Sequence, residues 1–113
     1  MDSLSVSLAA IQEEEKWSAK FMIKLGGEEF SSFFICLLDP KMKQAYRDFV
    51  NHKRNLFEDF NAAYGSTSLY WLSETVIRLT VSYRGASMEG TSMTLLPFNI
   101  LKEPMTELAD ILE

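Results

Sequence analysis

Between Trp17 and Leu38 the chain reads as a strand, a two-glycine turn and a second strand, and this hairpin constrains the fold more than any other stretch. Trp17, Ala19, Phe21, Ile23 and Leu25 share one parity, while Lys16, Ser18, Lys20, Met22 and Lys24 share the other. Side chains alternate faces along a strand, so one face is buried and the other carries the lysines in water. A one-residue slip would bury those lysines, which fixes the register. Gly26-Gly27 supplies the positive φ that a tight hairpin needs. The return run from Phe30 to Leu38 breaks the alternation, because Phe33, Phe34, Ile35, Cys36, Leu37 and Leu38 place apolar groups on both faces. It is expected to be an inner strand covered on both sides.

Downstream, Asp39 suits an N-cap and Pro40 the first helical turn, where its missing N–H is not needed. Met42, Ala45, Tyr46, Phe49, Val50, Leu56, Phe57, Phe60, Ala63 and Tyr64 recur at helical spacing, and Gly65 can close the end. The expectation is one long amphipathic helix laid on a sheet, with a bend or division at Asn51 to Arg54. Ser66-Thr67-Ser68 reads as a polar joint before Leu69 to Leu72. Thr75 to Arg84 alternates as a second strong strand, Gly85 to Gly90 is a turn, and Thr91 to Phe98 returns as a strand that Pro97 ends or places at an edge. A short C-terminal helix opened by Pro104 carries Met105, Leu108, Ile111 and Leu112 on one side. Ser3 to Ile11 fits a strand through Leu4, Val6, Leu8 and Ala10, or a helix through Leu4, Leu8 and Ile11. Its serines and valine favour the strand. Hairpins on both sides of a helix give an α+β domain with an antiparallel β-sheet.

At 113 residues, 47% of them hydrophobic, residues 1–113 are expected to form a single domain with one core. No apolar run approaches the roughly 20 residues that cross a bilayer. The first residues lack the basic start and apolar core of a secretory signal, so a cytoplasmic location is expected. Cys36 is the one cysteine, which excludes an internal disulfide, and its apolar neighbours suit a packed core thiol.

The net charge of -5 is unevenly spread. Asp2, Glu13, Glu14, Glu15, Glu28, Glu29 and Asp39 face only three lysines in the first forty residues, whereas residues 41–64 hold more bases than acids. A nucleic-acid binder concentrates positive charge to displace counterions, and this chain as a whole does not. An acidic surface instead favours a basic protein partner or plain solubility.

No phosphate-binding glycine loop, nucleophile elbow or zinc-ligand spacing is present, so no catalytic residue, metal ligand or cofactor is assigned. The one histidine, His52, lies four residues after Asp48 on the expected helix, and a surface pair is the simplest reading. An enzyme or small-ligand module using His52, oriented by Asp48 with Ser66 or Ser68 as nucleophile, is the alternative. Glu13, Glu14, Glu15, Glu28 and Glu29 fall at the two ends of the first clear strand, as solvated turn charge or as partner-facing acids. Tyr70 and Arg84 are further candidates for partner contact, since aromatics and arginine are common interface anchors, whereas Trp71 suits a core.

The pattern Trp17-x-x-x-Phe21-x-Ile23, then Gly27-Glu28-Glu29-Phe30, Phe33, Leu37-Leu38, Tyr46 on a helix and Tyr83-Arg84-Gly85 on a late strand resembles small bacterial immunity proteins. These are the cognate inhibitors of contact-dependent growth inhibition and related toxins. The resemblance implies a non-enzymatic, cytoplasmic toxin inhibitor that binds a cognate toxin domain, such as a basic nuclease, and occludes its active site or its access to substrate. Neither nucleic acid nor membrane is an expected partner. A secretion chaperone or adaptor that binds an extended peptide along a sheet edge or apolar groove is the rival class.

Overall fold

The structure, a computed structural model, describes residues 3–14, 16–62, 65–84 and 89–112; the side chains of Asn61, Ala62, Arg84 and Glu89 lie outside that description. Strands β1 (Leu4–Glu13), β2 (Lys16–Leu25) and β3 (Glu28–Leu37) form one antiparallel sheet in that order. After helix α1 (Pro40–Val50), strands β4 (Leu56–Ala62), β5 (Gly65–Trp71), β6 (Val76–Arg84) and β7 (Glu89–Pro97) form a second, again in chain order. Helix α2 (Phe98–Ile111) follows and packs along β1. The class is α+β as expected, but there are two antiparallel sheets rather than one.

The opening hairpin follows its alternation. Ala19, Phe21 and Ile23 of β2 are buried, as are Phe33, Ile35 and Leu37 of β3, and Phe21 stacks on Phe33 with ring centroids 4.8 Å apart. Such a pair contributes ~0.5–1.5 kcal/mol beyond its buried area. Gly26 and Gly27 both have positive φ, 61° and 89°, as a two-residue primed turn demands. Residues 4–13, which fit either periodicity, form a strand paired with β2 along its whole length. Leu4, Val6, Leu8 and Ala10 line its core side. The expectation that β3 is covered on both sides is corrected. Its outer face carries Ser32, Phe34 and Cys36, and Phe34 is 50% exposed.

The single long helix is also corrected. Asp39 caps α1 as expected, its Oδ1 accepting the N–H of Met42 at 2.8 Å, but the helix closes at Val50. The N–H of Lys53 donates to the carbonyl of Asp48 at 2.7 Å and that of His52 to the carbonyl of Phe49 at 3.1 Å. This is a Schellman closure, with His52 at φ +59° where glycine is usual. Leu56 to Phe60, read as the helix's second half, are strand instead. Leu56, Phe57 and Phe60 satisfy a helical stripe by spacing alone, whereas in β4 Phe57 and Asp59 turn inward and Phe60 is 70% exposed. Ala63 and Tyr64, assigned to the same helix, lie outside the described residues, as does Gly85. The polar joint Ser66-Thr67-Ser68 is the first part of β5, with Thr67 buried.

The C-terminal helix is longer than expected and exceeds α1. It starts at Phe98, whose N–H donates to the carbonyl of Thr75 at 2.8 Å, and Pro104 sits inside it. Leu101, Met105 and Leu108 bury its inner face, and the carbonyl of Met105 accepts the hydroxyl of buried Tyr46 at 2.8 Å. Trp71 joins the two helices to the second sheet. Its Nε1 donates to the carbonyl of Phe49 at 2.8 Å, and its ring lies against Phe49, His52 and Phe98.

Candidate functional site

The tip of the β2–β3 hairpin combines an irregular backbone with exposed apolar groups. Ile23 pairs with Ser31, yet Lys24 pairs with Glu29, so Phe30 is an extra residue on β3. A bulge of this kind re-aims side chains away from the regular pleat. Phe30 is 63% exposed, and Leu25, on the other side of the turn, is 48% exposed. Glu28 and Glu29 lie between them, both exposed. Two large apolar side chains and two carboxylates make this hairpin tip an exposed knob. Glu29 also makes an ion pair with Lys20, Oε1 to Nζ 3.2 Å, on the outer face of the sheet. That pair is solvent-exposed, and such pairs contribute little.

The remaining acids expected to face a partner are not brought to this tip. Glu13 ends β1, and Glu14 follows it in the turn at φ +58°, both exposed. Glu15 lies outside the described residues. The length of β2 separates this turn from Glu28 and Glu29, roughly 30 Å at the rise of a strand.

Tyr70 and Arg84 are likewise far from each other. Tyr70 faces outward on β5, paired with Arg78, whose guanidinium carbon lies 4.9 Å from the tyrosine ring centroid. The backbone of Arg84 is at the far end of β6, where Gly65 meets Tyr83. Tyr70 is half-buried beneath its arginine, a packed surface pair rather than an open anchor.

His52 does not pair with Asp48. The Asp48 Oδ1 accepts from Gln44 Nε2 at 2.8 Å, and the imidazole stacks on Trp71 at 3.9 Å between centroids. Ser66 and Ser68 occupy the parity of β5 opposite to Trp71, so the structure does not assemble the three groups. Cys36, expected in the core, is only partly buried. With Phe34, Thr67, Val81 and Tyr83 it lines a cleft of about 450 Å³ where the outer face of β3 meets β5 and β6. Among the described residues no three His, Cys, Asp or Glu side chains cluster as metal ligands would.

The sequence pointed to Glu28 and Glu29 through their charge and missed Phe30 and Leu25. By sequence Phe30 belongs to the apolar run that ends at Leu38, and a bulge leaves no mark in apolar periodicity. No helix among the described residues is long and apolar enough to cross a membrane. Comparison with protein-family models, curated proteins and solved structures finds no match to the chain.

Proposed function

We propose that this protein is an inhibitor that binds and neutralises a toxin domain, as the resemblance to immunity proteins of contact-dependent growth inhibition implies. The observation that supports it most is the bulge that turns Phe30 out beside Glu28 and Glu29. A large aromatic held outward by backbone geometry is an anchor at low entropic cost, and the flanking carboxylates speed encounter with a basic partner. The knob enters an apolar depression near the toxin's active site and occludes it, with Glu28 and Glu29 meeting lysines or arginines at the rim. Glu13 and Glu14, at the far end of β2, add to the long-range field rather than to the contact.

The test is growth rescue. The chain is co-expressed with candidate toxin domains drawn from neighbouring genes, and the rescue is repeated with Glu28→Lys, Glu29→Lys and Phe30→Ala combined. Wild type is expected to rescue and the triple variant to fail while remaining folded. The association rate of the purified pair is expected to fall as salt rises, because screening shortens the reach of charge steering. Absence of rescue by wild type, or an association rate indifferent to salt, would count against this reading.

A further inference from the structure

The second sheet ends in a strand with one side unused. β7 pairs with β6 residue by residue from Glu89 to Pro97, and no strand lies on its other side among the described residues. Every residue from Thr91 to Leu95 is exposed, so this part of β7 stands clear of the core on both faces. Met93 is 62% exposed and Leu95 58%, and they lie on the same face. The other sheet termini are treated differently. β1 has α2 packed along it, and β3 and β4 lie against each other, tied by Asp59 of β4 and Thr67 of β5.

Folded proteins usually blunt such an edge with lysines, prolines or a covering element, because its free N–H and C=O groups are a template for another strand. From Gly90 to Leu96 β7 has no charged residue and no proline. We propose that β7 pairs antiparallel with β7 of a second copy of this chain, joining two four-stranded sheets into one of eight strands.

Charge selects this occupant over a basic peptide. A basic segment drawn to the acidic chain finds no carboxylate between Gly90 and Leu96 to meet it. An uncharged strand about a twofold axis, in contrast, opposes no like charges. Centring the axis on Met93 sets Met93 against its own copy, Thr91 against Leu95 of the second copy, and Glu89 against the second copy's Pro97, so that the glutamates stay apart. The contact uses the same patch on both copies and therefore closes at two rather than growing into a fibre. The hairpin tip with Phe30 belongs to the other sheet, so pairing through β7 and binding through Phe30 are separable.

Sedimentation velocity across a concentration series tests the proposal. Wild type is expected to move from one to two chains as concentration rises. Met93→Lys combined with Leu95→Lys should hold it at one chain, while the control Phe60→Lys, on the opposite edge strand of the same sheet, leaves the dimer intact. Hydrogen exchange on wild type is the second measurement and does not depend on the variant folding. The β7 amides directed away from β6 should be protected at high concentration and lose protection on dilution. A chain that stays single throughout with those amides unprotected would overturn the proposal, as would a dimer indifferent to the lysines. A single chain whose β7 amides become protected only when an extended peptide is added would assign the edge to that peptide instead.

Discussion

The carboxylate of Asp59 accepts the backbone N–H of Cys36 at 2.7 Å, Oδ2 to N, and so fastens the second sheet to β3 of the first. Thr67, paired with Asp59 across the β4–β5 ladder, donates its hydroxyl to the carbonyl of Phe34 at 2.8 Å. Two side chains thus supply the donor and acceptor that a neighbouring strand would otherwise offer. Both are buried, where an unmet polar group is costly.

Asp59→Ala is therefore expected to destabilise the protein by about 2–3 kcal/mol, because it removes a charge-assisted bond and strands the Cys36 amide. Thr67→Val, which keeps the shape, should cost about 1 kcal/mol. Urea unfolding followed by circular dichroism measures both. A loss for Asp59→Ala no greater than for an exposed site would show that the sheets are held by apolar packing alone.

His52 makes a different trade. At φ +59° it occupies the position after the helix where a side chain is strained, by ~1–2 kcal/mol. Its ring recovers part of that by stacking on Trp71, a contact of ~0.5–1.5 kcal/mol. His52→Gly should be nearly neutral, as relief of strain and loss of the stack offset. His52→Val loses the stack and worsens the strain, with a cost of about 2 kcal/mol expected. Thermal unfolding of the two variants distinguishes a helix-ending role from no role, which predicts equal midpoints.

The hairpin from Trp17 to Leu38 was legible because parity and the two glycines specify the same register. Residues 56–60 were not, since Leu56, Phe57 and Phe60 fit a helical stripe while the residue that settles the matter is polar. Asp59 is buried, and the Cys36 amide that its carboxylate accepts from is supplied by a strand 23 positions earlier. Pro104 misled for a local reason. Its ring suits a first helical turn, but Phe98 finds a carbonyl at Thr75 to begin the helix sooner, and packing of Leu101, Met105 and Leu108 sustains the turns around the proline. The candidate site was half legible. Charge at Glu28 and Glu29 can be read from sequence, whereas the outward turn of Phe30 depends on a register shift between two strands.

Tyr46 confers a dependence on alkaline pH. Burial pushes its phenol far above the ordinary range for tyrosine. A group whose folded pKa is raised contributes stability that is complete below its unfolded pKa, about 10 for tyrosine, and is lost as pH rises beyond it. Wild type should lose stability progressively above that pH. Tyr46→Phe gives up the bond to the Met105 carbonyl and should be about 1 kcal/mol less stable at neutral pH. Its deficit should shrink in alkali, because it has no phenol to ionise. Unfolding midpoints measured from neutral to strongly alkaline pH check the crossing trends, and a constant gap would contradict them.

Phe30 separates binding from folding. At 63% exposure its ring contributes little to the core, so Phe30→Ala should leave stability within ~0.5 kcal/mol of wild type. If the ring anchors the partner, the same change should weaken the complex by about 2 kcal/mol, roughly thirtyfold, and mainly by faster dissociation. Glu28→Gln with Glu29→Gln should act on the other rate, slowing association at low salt with little effect at high salt, since exposed charges steer encounter more than they hold the complex. Surface plasmon resonance against the toxin domain reads both rates. Equal losses in association and dissociation for all three residues would indicate general disturbance of the hairpin, and wild-type binding by Phe30→Ala would remove the bulge from the interface.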